Sequence, residues 1–212
     1  MRIVRVDSND IESVMKWFSD EIRGGENGML IYPNLQTFRQ IYTRYVKDQL
    51  TKEDEEENNI RNEQFKPRII ILIATFYETV NSVKHNLIAV GVDVQRHIDN
   101  GSLVIVDAFN VYFPDLDGMK KMVASLSERA TREGGVGVSA IVNMGFFFLY
   151  GGDGKATELI NYETSLAPKR DGGNVRGFSC YHAGNYNTLN DSQKKELAQG
   201  QKKLLEIAES AA

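Results

Sequence analysis

The segment GMLIYPNLQTFRQIYTRYV, residues 28–46, decides how the chain is built. Four apolar residues at 29–32 predict a short strand, and a helical pattern begins soon after, at Leu35. Many nucleotide-binding proteins begin with a strand that enters a helix through a tight loop. This loop lacks the glycines and the lysine of a phosphate loop, and Pro33 has no backbone N–H to offer an anion. The residues therefore favour a plain turn, with Asn34 as the cap of the helix.

Strand-like and helix-like patterns alternate along the rest of the chain. Further strands are predicted at 68–76, 102–109, 137–148 and 175–182. Helices are predicted at 8–22, from 35 into the fifties, at 79–90, 116–133, 156–166 and 191–210. This alternation predicts an α/β fold in three layers: a mostly parallel sheet of about five or more strands, with helices on both faces.

The chain is predicted to form one domain over residues 1–212. Its 212 residues, 42% of them hydrophobic, are enough for a single large core. The core is expected at 28–207, with residues 1–27 as an N-terminal strand and helix extension. The acidic run within 52–66 is expected to be a solvated, partly mobile insertion.

Charge and cysteine content narrow the classes of function. The net charge of -4 does not favour nucleic acid or an anionic membrane as a direct partner. The single cysteine, Cys180, has no second cysteine in the chain with which to form a disulfide bond. The longest apolar run, 68–76, is too short to span a bilayer, and the N-terminus lacks an apolar signal core. We expect a soluble cytoplasmic protein.

The residues that follow the strands define the expected site, because ligands of open parallel sheets bind beyond the carboxyl ends of the strands. Aromatic and amide side chains dominate these positions, and charged ones are few. Such a rim suits a small, mostly apolar organic ligand better than a triphosphate. The predicted ligand-binding residues are Tyr32, Asn34, Phe76, Tyr77, Glu78, Asn143, Tyr150, Glu163, Tyr181 and His182.

Several of these residues leave two interpretations open. Asn143 stands where a hydrolytic ATPase has a carboxylate for Mg²⁺, and an amide cannot act as a general base. Asp107 could be a lone metal ligand or the cap of the next turn. Cys180 and His182 could form a nucleophilic pair, or Cys180 could be a small buried apolar group. Glu163 could be solvated or could face the pocket. No metal-ligand spacing occurs, and no cofactor and no catalytic residue are predicted.

The order of four segments resembles a known family. HNLIAVGVDVQRHIDNGSLVIVDAF (85–109) is similar to a stretch of RecA/KaiC-type ATPases and, more closely, of the MEDS sensory domain. Three further segments also match that domain. They are the opening segment at 28–46, LINYETSLAP with Tyr162 and Glu163, and GFSCYHAGNYNTL with Tyr181 and Tyr186. The MEDS domain is a RecA-like fold without its nucleotide machinery, found in archaeal and bacterial proteins. The resemblance implies that the opening loop is the remnant of a phosphate loop.

The sequence departs from the family pattern at three places. Asn27-Gly28 stand where the family often has a histidine, Asn143-Met144 replace its acidic residue, and the insertion at 52–66 is extra. The family domain is usually fused to a helix-turn-helix or a kinase, and this sequence contains neither. The resemblance therefore leaves the output undecided between two alternatives: a kinase or transcription regulator that acts with this chain in trans, or a chain that is one product of a split gene.

Three functions follow as expectations. The first is a non-catalytic sensory domain that binds a small organic ligand or a partner protein at the carboxyl edge of the sheet. The second is a nucleotide-binding protein with an atypical loop, in which Thr37 and Asp107 would matter. The third is an assembly subunit or homo-oligomer that associates through NMGFFFLYGG, residues 143–152.

Overall fold

The computed structural model describes residues 2–22, 24–59, 69–150, 155–165, 174–199 and 201–208. These residues contain the strands β1 (Arg2–Asp7), β2 (Asn27–Tyr32), β3 (Ile69–Thr75), β4 (Leu103–Asp107), β5 (Gly137–Asn143), β6 (Val175–His182) and β7 (Lys203–Ala208). The strands form one sheet in the order β1-β7-β2-β6-β5-β3-β4, and every pairing between neighbours is parallel.

Helices connect the strands, as parallel pairing requires. They are α1 (Ile11–Lys16) with a π-helical turn at Trp17–Glu21, α2 (Leu35–Asn59), α3 (Val80–Ala89), α4 (Val94–Asp99), α5 (Ala108–Tyr112), α6 (Gly118–Arg132), α7 (Gly145–Tyr150), α8 (Lys155–Ser165), α9 (Ala183–Tyr186) and α10 (Asp191–Gln199). Among the described helices, even α2 lacks the continuous apolar stretch that a membrane crossing needs.

The two faces of the sheet carry separate hydrophobic cores. Alternate residues of each strand point to opposite faces, so that Leu30 lies in one core and its neighbour Met29 in the other. The first core is covered by helices α1 to α4, and the second by α5 to α8 and α10. The predicted α/β fold in three layers, with the RecA-like arrangement of helices on both faces, is confirmed.

Residues 2–22 are part of this sheet and its first core. Strand β1 pairs with β7 over Arg2–Asp7. Trp17 and Ile22, which follow α1, are buried, and a Cβ on Gly28 would come within 2.7 Å of Trp17 and 2.9 Å of Ile22. Glycine at position 28 therefore allows the N-terminal segment to pack directly on strand β2.

The predicted closing helix at 191–210 is wrong beyond Gln199. Residues Lys203–Ala208 form strand β7, which lies between β1 and β2. Leu204 and Leu205 are adjacent in sequence and both buried, in the two different cores. Consecutive residues point to opposite faces only in a strand, and neighbouring lysines and glutamates hid this pattern.

The predicted strand at 137–148 is too long. Strand β5 ends at Asn143, and α7 starts at Gly145. The Asn143 side-chain oxygen accepts a hydrogen bond from the Gly145 N–H at 2.9 Å, which starts the helix immediately after the strand. The apolar run Phe146–Phe148 therefore belongs to a helix that packs against α8.

Four other segments differ from their predicted state. Helix α2 continues to Asn59, so the first part of the predicted insertion at 52–66 is helical, and residues 60–66 lie outside the described residues. A short helix, α4, lies between the helix predicted at 79–90 and the strand predicted at 102–109. That strand, β4, ends at Asp107 and is an edge strand with mostly half-buried residues, and helix α5 begins at Ala108, within its predicted range.

Candidate functional site

The loop between β2 and α2 consists of Pro33 and Asn34 alone. The Asn34 side-chain oxygen accepts a hydrogen bond from the Thr37 N–H at 2.9 Å, which confirms the predicted helix cap. A phosphate loop needs several glycine-rich residues so that its N–H groups can surround the anion. Two residues, one of them proline, cannot supply that arrangement.

Strands β2 and β5 end in a buried hydrogen bond. The Asn143 amide nitrogen donates to the Tyr32 hydroxyl at 2.8 Å, and both side chains are almost fully buried. The Tyr32 ring stacks on Phe38 with ring centroids 4.4 Å apart. Burial raises the pKa of Tyr32 far above its ordinary value, against the hydrogen bond from Asn143. Asn143 also caps α7, so its amide nitrogen and its amide oxygen both take part in hydrogen bonds within the protein.

The aromatic residues after β3 rest on the start of α7. A Cβ on Gly145 would come within 2.4 Å of the Phe76 ring and 2.7 Å of the Tyr77 ring, so only glycine allows this contact. The Tyr77 hydroxyl accepts a hydrogen bond from the Asn185 amide. The His182 ring lies 6.1 Å from the Tyr77 ring, centroid to centroid. Thus the rings that sequence analysis assigns to a ligand pack against one another across this edge.

Glu78 connects α2 and α3 to the end of β3. Its carboxylate accepts hydrogen bonds from Arg39 at 2.7 Å and Asn86 at 3.0 Å, and its side chain is only 4% exposed. Its backbone oxygen accepts a third bond, from Thr75, at 2.9 Å. The charge of Glu78 is therefore already compensated by Arg39.

One part of the carboxyl edge is apolar and open to solvent. We call it the aromatic edge surface, and it consists of the rings of Phe109, Phe113 and Tyr150 together with Leu149, which precedes Tyr150 in α7. Phe113 is 67% exposed, Leu149 65% and Tyr150 55%. The half-buried Phe109 joins them, with ring centroids 4.9 Å from Phe113 and 5.1 Å from Tyr150. Clustered exposed aromatic residues are typical of interaction surfaces.

Tyr181, next to the end of β6, lies on the other face of the sheet from Tyr32, and Glu163 is bonded to it. Glu163 is fully buried, so its interpretation as a solvated carboxylate is wrong. It accepts hydrogen bonds from the Tyr181 hydroxyl and, at 2.6 Å, from the Gln201 amide. Burial raises the pKa of Glu163, and hydrogen bonds from Tyr181, Ser179 and Gln201 partly oppose that rise.

A cavity of about 560 Å³ lies between the sheet and helices α6 and α8. We call it the α6–α8 cavity. Its described lining is mostly apolar and includes Met119, Val123, Ala140, Val142 and Met144. Sequence analysis did not find it, because it depends on how two helices far apart in the chain pack over β5 and β6.

Some of the polar groups that line the α6–α8 cavity lie beside Tyr162. The Tyr112 hydroxyl donates to the Tyr162 hydroxyl at 3.1 Å, and the Lys120 ammonium lies 4.8 Å from the centre of the Tyr162 ring. Burial raises the pKa of Tyr162, so this phenol stays protonated and can donate a hydrogen bond. The cavity thus combines mostly apolar walls with polar groups, among them the Tyr162 hydroxyl and the Lys120 ammonium, which also pairs with Asp117 at 2.7 Å.

The other candidate residues have structural roles. Asp107 accepts a hydrogen bond from the Phe109 N–H at 2.9 Å and caps α5. Cys180 is fully buried, burial raises its pKa strongly, and its thiol is therefore not an activated nucleophile. His182 accepts a bond from the Gly184 N–H at 3.2 Å. Within the described ranges, no group of three or more His, Cys, Asp or Glu side chains could hold a metal ion.

A comparison of the sequence with protein-family models gives no match, and a comparison with curated proteins gives no significant match either. The structure by itself defines a parallel α/β domain of RecA-like layering. The resemblance to the MEDS sensory domain stays a prediction.

Proposed function

We propose that the protein is a non-catalytic sensory domain. In this proposal a RecA-like fold binds a small, mostly apolar organic ligand and transmits the binding to a partner protein, such as a kinase or transcription regulator, in trans. The observation that carries the proposal is the α6–α8 cavity, whose volume and apolar lining suit such a ligand. Asn143 holds Tyr32 and caps α7 at the position where an ATPase has a carboxylate for Mg²⁺, which supports the loss of ATP hydrolysis in this proposal.

The lining of the cavity defines the chemistry of the proposed ligand. Met119, Val123 and Met144 offer apolar contacts, and methionine adapts its shape to irregular ligands. Beside Tyr162 the phenol hydroxyl favours an oxygen acceptor, and the Lys120 ammonium, which already pairs with Asp117, adds a further hydrogen-bond donor. We therefore expect a compact apolar body with one polar group.

Stacked rings connect the cavity to the aromatic edge surface. Tyr112 lines the cavity and stacks on Phe146 with centroids 5.4 Å apart and planes inclined by 25°. Phe146 stacks in turn on the exposed Tyr150, also at 5.4 Å and 25°. A ligand that shifts Tyr112 would change the position of Tyr150, so the aromatic edge surface is the proposed output surface.

Thermal unfolding tests the ligand. The panel contains small apolar and halogenated organic compounds, and ATP, ADP and GTP with magnesium. A ligand at one hundred times its dissociation constant adds about 2.7 kcal/mol of stability, a clear rise in melting temperature. We expect a rise with an organic compound and none with nucleotides. A rise with nucleotide alone would contradict the proposal.

Two variants separate the cavity from the rim. Ala124 is an exposed residue of α6 that lines the cavity, so Ala124→Phe should block it with little cost to stability. Tyr77→Ala removes the rim ring on Gly145. Loss of the ligand response in Ala124→Phe alone would support the cavity. Loss in Tyr77→Ala alone would place the ligand at the carboxyl edge, as sequence analysis predicts.

The exposure of the aromatic edge surface favours a second candidate, an assembly subunit that associates with its own copies. Light scattering over a range of concentrations distinguishes it from a monomeric sensor. If the second candidate is right, the mass should rise with concentration and Leu149→Ser should lower it. A constant monomer mass would contradict self-association through the aromatic edge surface.

A further inference from the structure

A second cavity, of about 780 Å³, opens beside helix α10 and strand β7. We call it the α10–β7 cleft. Its lining includes the apolar side chains of Ile31 and Leu204, which come from the sheet. None of the residues predicted to bind a ligand lines it, and the cleft is separate from the α6–α8 cavity in its described lining.

The wall of this cleft is strongly cationic. Arg5, Lys194, Lys195 and Lys202 line it, together with one carboxylate, that of Glu206. The protein as a whole has a net charge of -4, so this is a local reversal of sign. Such a concentration of positive charge in a concave site attracts anions.

Existing ion pairs compensate only part of this charge. Arg5 lies 2.9 Å from the Glu206 carboxylate, and Lys202 lies 3.2 Å from that of Glu26. Lys194 lies over the Tyr186 ring, 5.3 Å from its centre. The ammonium groups of Lys194 and Lys195 form no ion pair within the described part of the chain, so both can reach an anion.

Gln201 is a lining residue of the cleft that carries an unpartnered polar atom. Its side chain lines the cleft, is only 6% exposed, and donates from its amide nitrogen to Glu163 at 2.6 Å. Its amide oxygen is buried and has no hydrogen-bond partner among the described atoms. A buried acceptor without a partner is costly, and a ligand that donates a hydrogen bond would remove that cost.

We propose that the α10–β7 cleft binds a small organic anion that carries at least two negative charges and a hydroxyl or N–H group. Lys194 and Lys195 pair with the carboxylate or phosphate groups of the anion. The Gln201 oxygen accepts the hydrogen bond from its hydroxyl or N–H. This site is independent of the proposed sensory ligand, because the two cavities share no described lining residue.

Isothermal titration calorimetry of the full chain tests the proposal with three probes at constant ionic strength. Citrate carries three carboxylates and a hydroxyl, tricarballylate lacks only the hydroxyl, and 3-phosphoglycerate carries a phosphate. We expect citrate to bind about ten-fold more tightly than tricarballylate, the effect of one hydrogen bond to a buried acceptor. Citrate against 3-phosphoglycerate shows whether carboxylate or phosphate is preferred. Absence of binding by all three at millimolar concentration would overturn the proposal, and equal binding of citrate and tricarballylate would overturn the role of Gln201.

Matched lysine pairs locate the binding. Lys194→Gln with Lys195→Gln should weaken binding of the tightest probe about ten-fold or more, because charge-assisted contacts are lost. Lys16→Gln with Lys47→Gln removes the same charge from exposed positions of α1 and α2, outside both cavities, and should change affinity less than about two-fold. Equal effects of the two pairs would mean general electrostatic attraction and would overturn the site. Ala124→Phe should leave citrate binding unchanged, which separates this result from the test of the sensory ligand.

Discussion

At the residue scale, the Asn143 side chain connects two elements, one through its amide nitrogen and one through its amide oxygen. The nitrogen donates to Tyr32, at the end of β2, and the oxygen accepts from the backbone of Gly145, at the start of α7. A carboxylate at this position could not donate to the Tyr32 hydroxyl. The residue that looks like a lost metal ligand in sequence is therefore a structural link between β2, β5 and α7.

Asn143→Ala should lower the free energy of unfolding by about 1–3 kcal/mol, because it leaves the buried Tyr32 hydroxyl unpaired. Urea unfolding followed by circular dichroism measures the change. Tyr32→Phe is the matched variant, since it removes the hydroxyl and keeps the ring. If the hydrogen bond is the cause, the double variant should lose less stability than the two single losses added together. Additive losses would contradict it.

Glu163 is a buried acid whose hydrogen bonds do not fully offset its burial. Its pKa is raised above the ordinary value of 4.5. Below 4.5 the carboxyl is protonated in both the folded and the unfolded chain. As the pH rises above 4.5, the unfolded chain releases this proton before the folded chain does. The contribution of Glu163 to stability therefore falls with rising pH, until the raised pKa is passed.

Glu163→Gln should remove this pH dependence. Urea unfolding of the wild-type protein and the variant at several pH values between 5 and 8 should show that the variant gains stability relative to the wild type as the pH rises. The comparison cancels the titration of the other groups, because only Glu163 differs. A constant difference between the two proteins across this range would show that the pKa of Glu163 is not raised. Tyr181→Phe is a useful second variant, because it removes a hydrogen-bond donor to Glu163.

At the scale of elements, the sequence predicts best where local signals agree. Strand β6 has its predicted bounds, Val175–His182, and β3 lies within its predicted range. The segment 203–208 contains leucines among lysines and glutamates, a composition typical of helices, and only pairing with β1 and β2 makes it a strand. The helix start at Gly145 depends on one side-chain hydrogen bond that no periodicity reveals.

In the candidate site, too, the features that depend on local sequence were predicted, and those that depend on contacts between distant residues were not. The cap at Asn34 follows from residue type and position, and was predicted. The Tyr32–Asn143 bond joins residues 111 positions apart, and the Glu163–Gln201 bond joins residues 38 apart. Such contacts depend on strand order and helix packing, which a single sequence does not define. Both cavities were missed for this reason.

Strand β7 gives the element-scale prediction. Leu204→Ala and Leu205→Ala should each cost about 2–4 kcal/mol, because both leucines are buried, one in each core. Lys202→Ala, at an exposed position just before the strand, is the control and should change stability by less than about 0.5 kcal/mol. Urea unfolding measures all three variants. A small loss for either leucine would mean that only one face of this segment is buried, as in a surface helix.

At the scale of the whole molecule, the first and the last described strands, β1 and β7, are neighbours at one side of the sheet. Strand β1 is the outer strand, and it covers β7, the last described strand, in a six-residue parallel register. Val4 and Val6 pack against the first core from this position. The N-terminal segment therefore protects the backbone edge of β7, which would otherwise be free to pair with another chain.

Deletion of residues 2–9 should both destabilise the protein and make it associate. Loss of the β1 ladder and its valines should lower the melting temperature by roughly 5 °C or more, which corresponds to about 2 kcal/mol for a domain of this size. The exposed edge of β7 should raise the mass seen by light scattering as concentration increases. Arg5→Gln keeps the strand and breaks only the Arg5–Glu206 ion pair, which is largely exposed, so it should behave like the wild type. A deletion variant that stays monomeric with an unchanged melting temperature would show that β1 is dispensable and that the sheet effectively begins at β7.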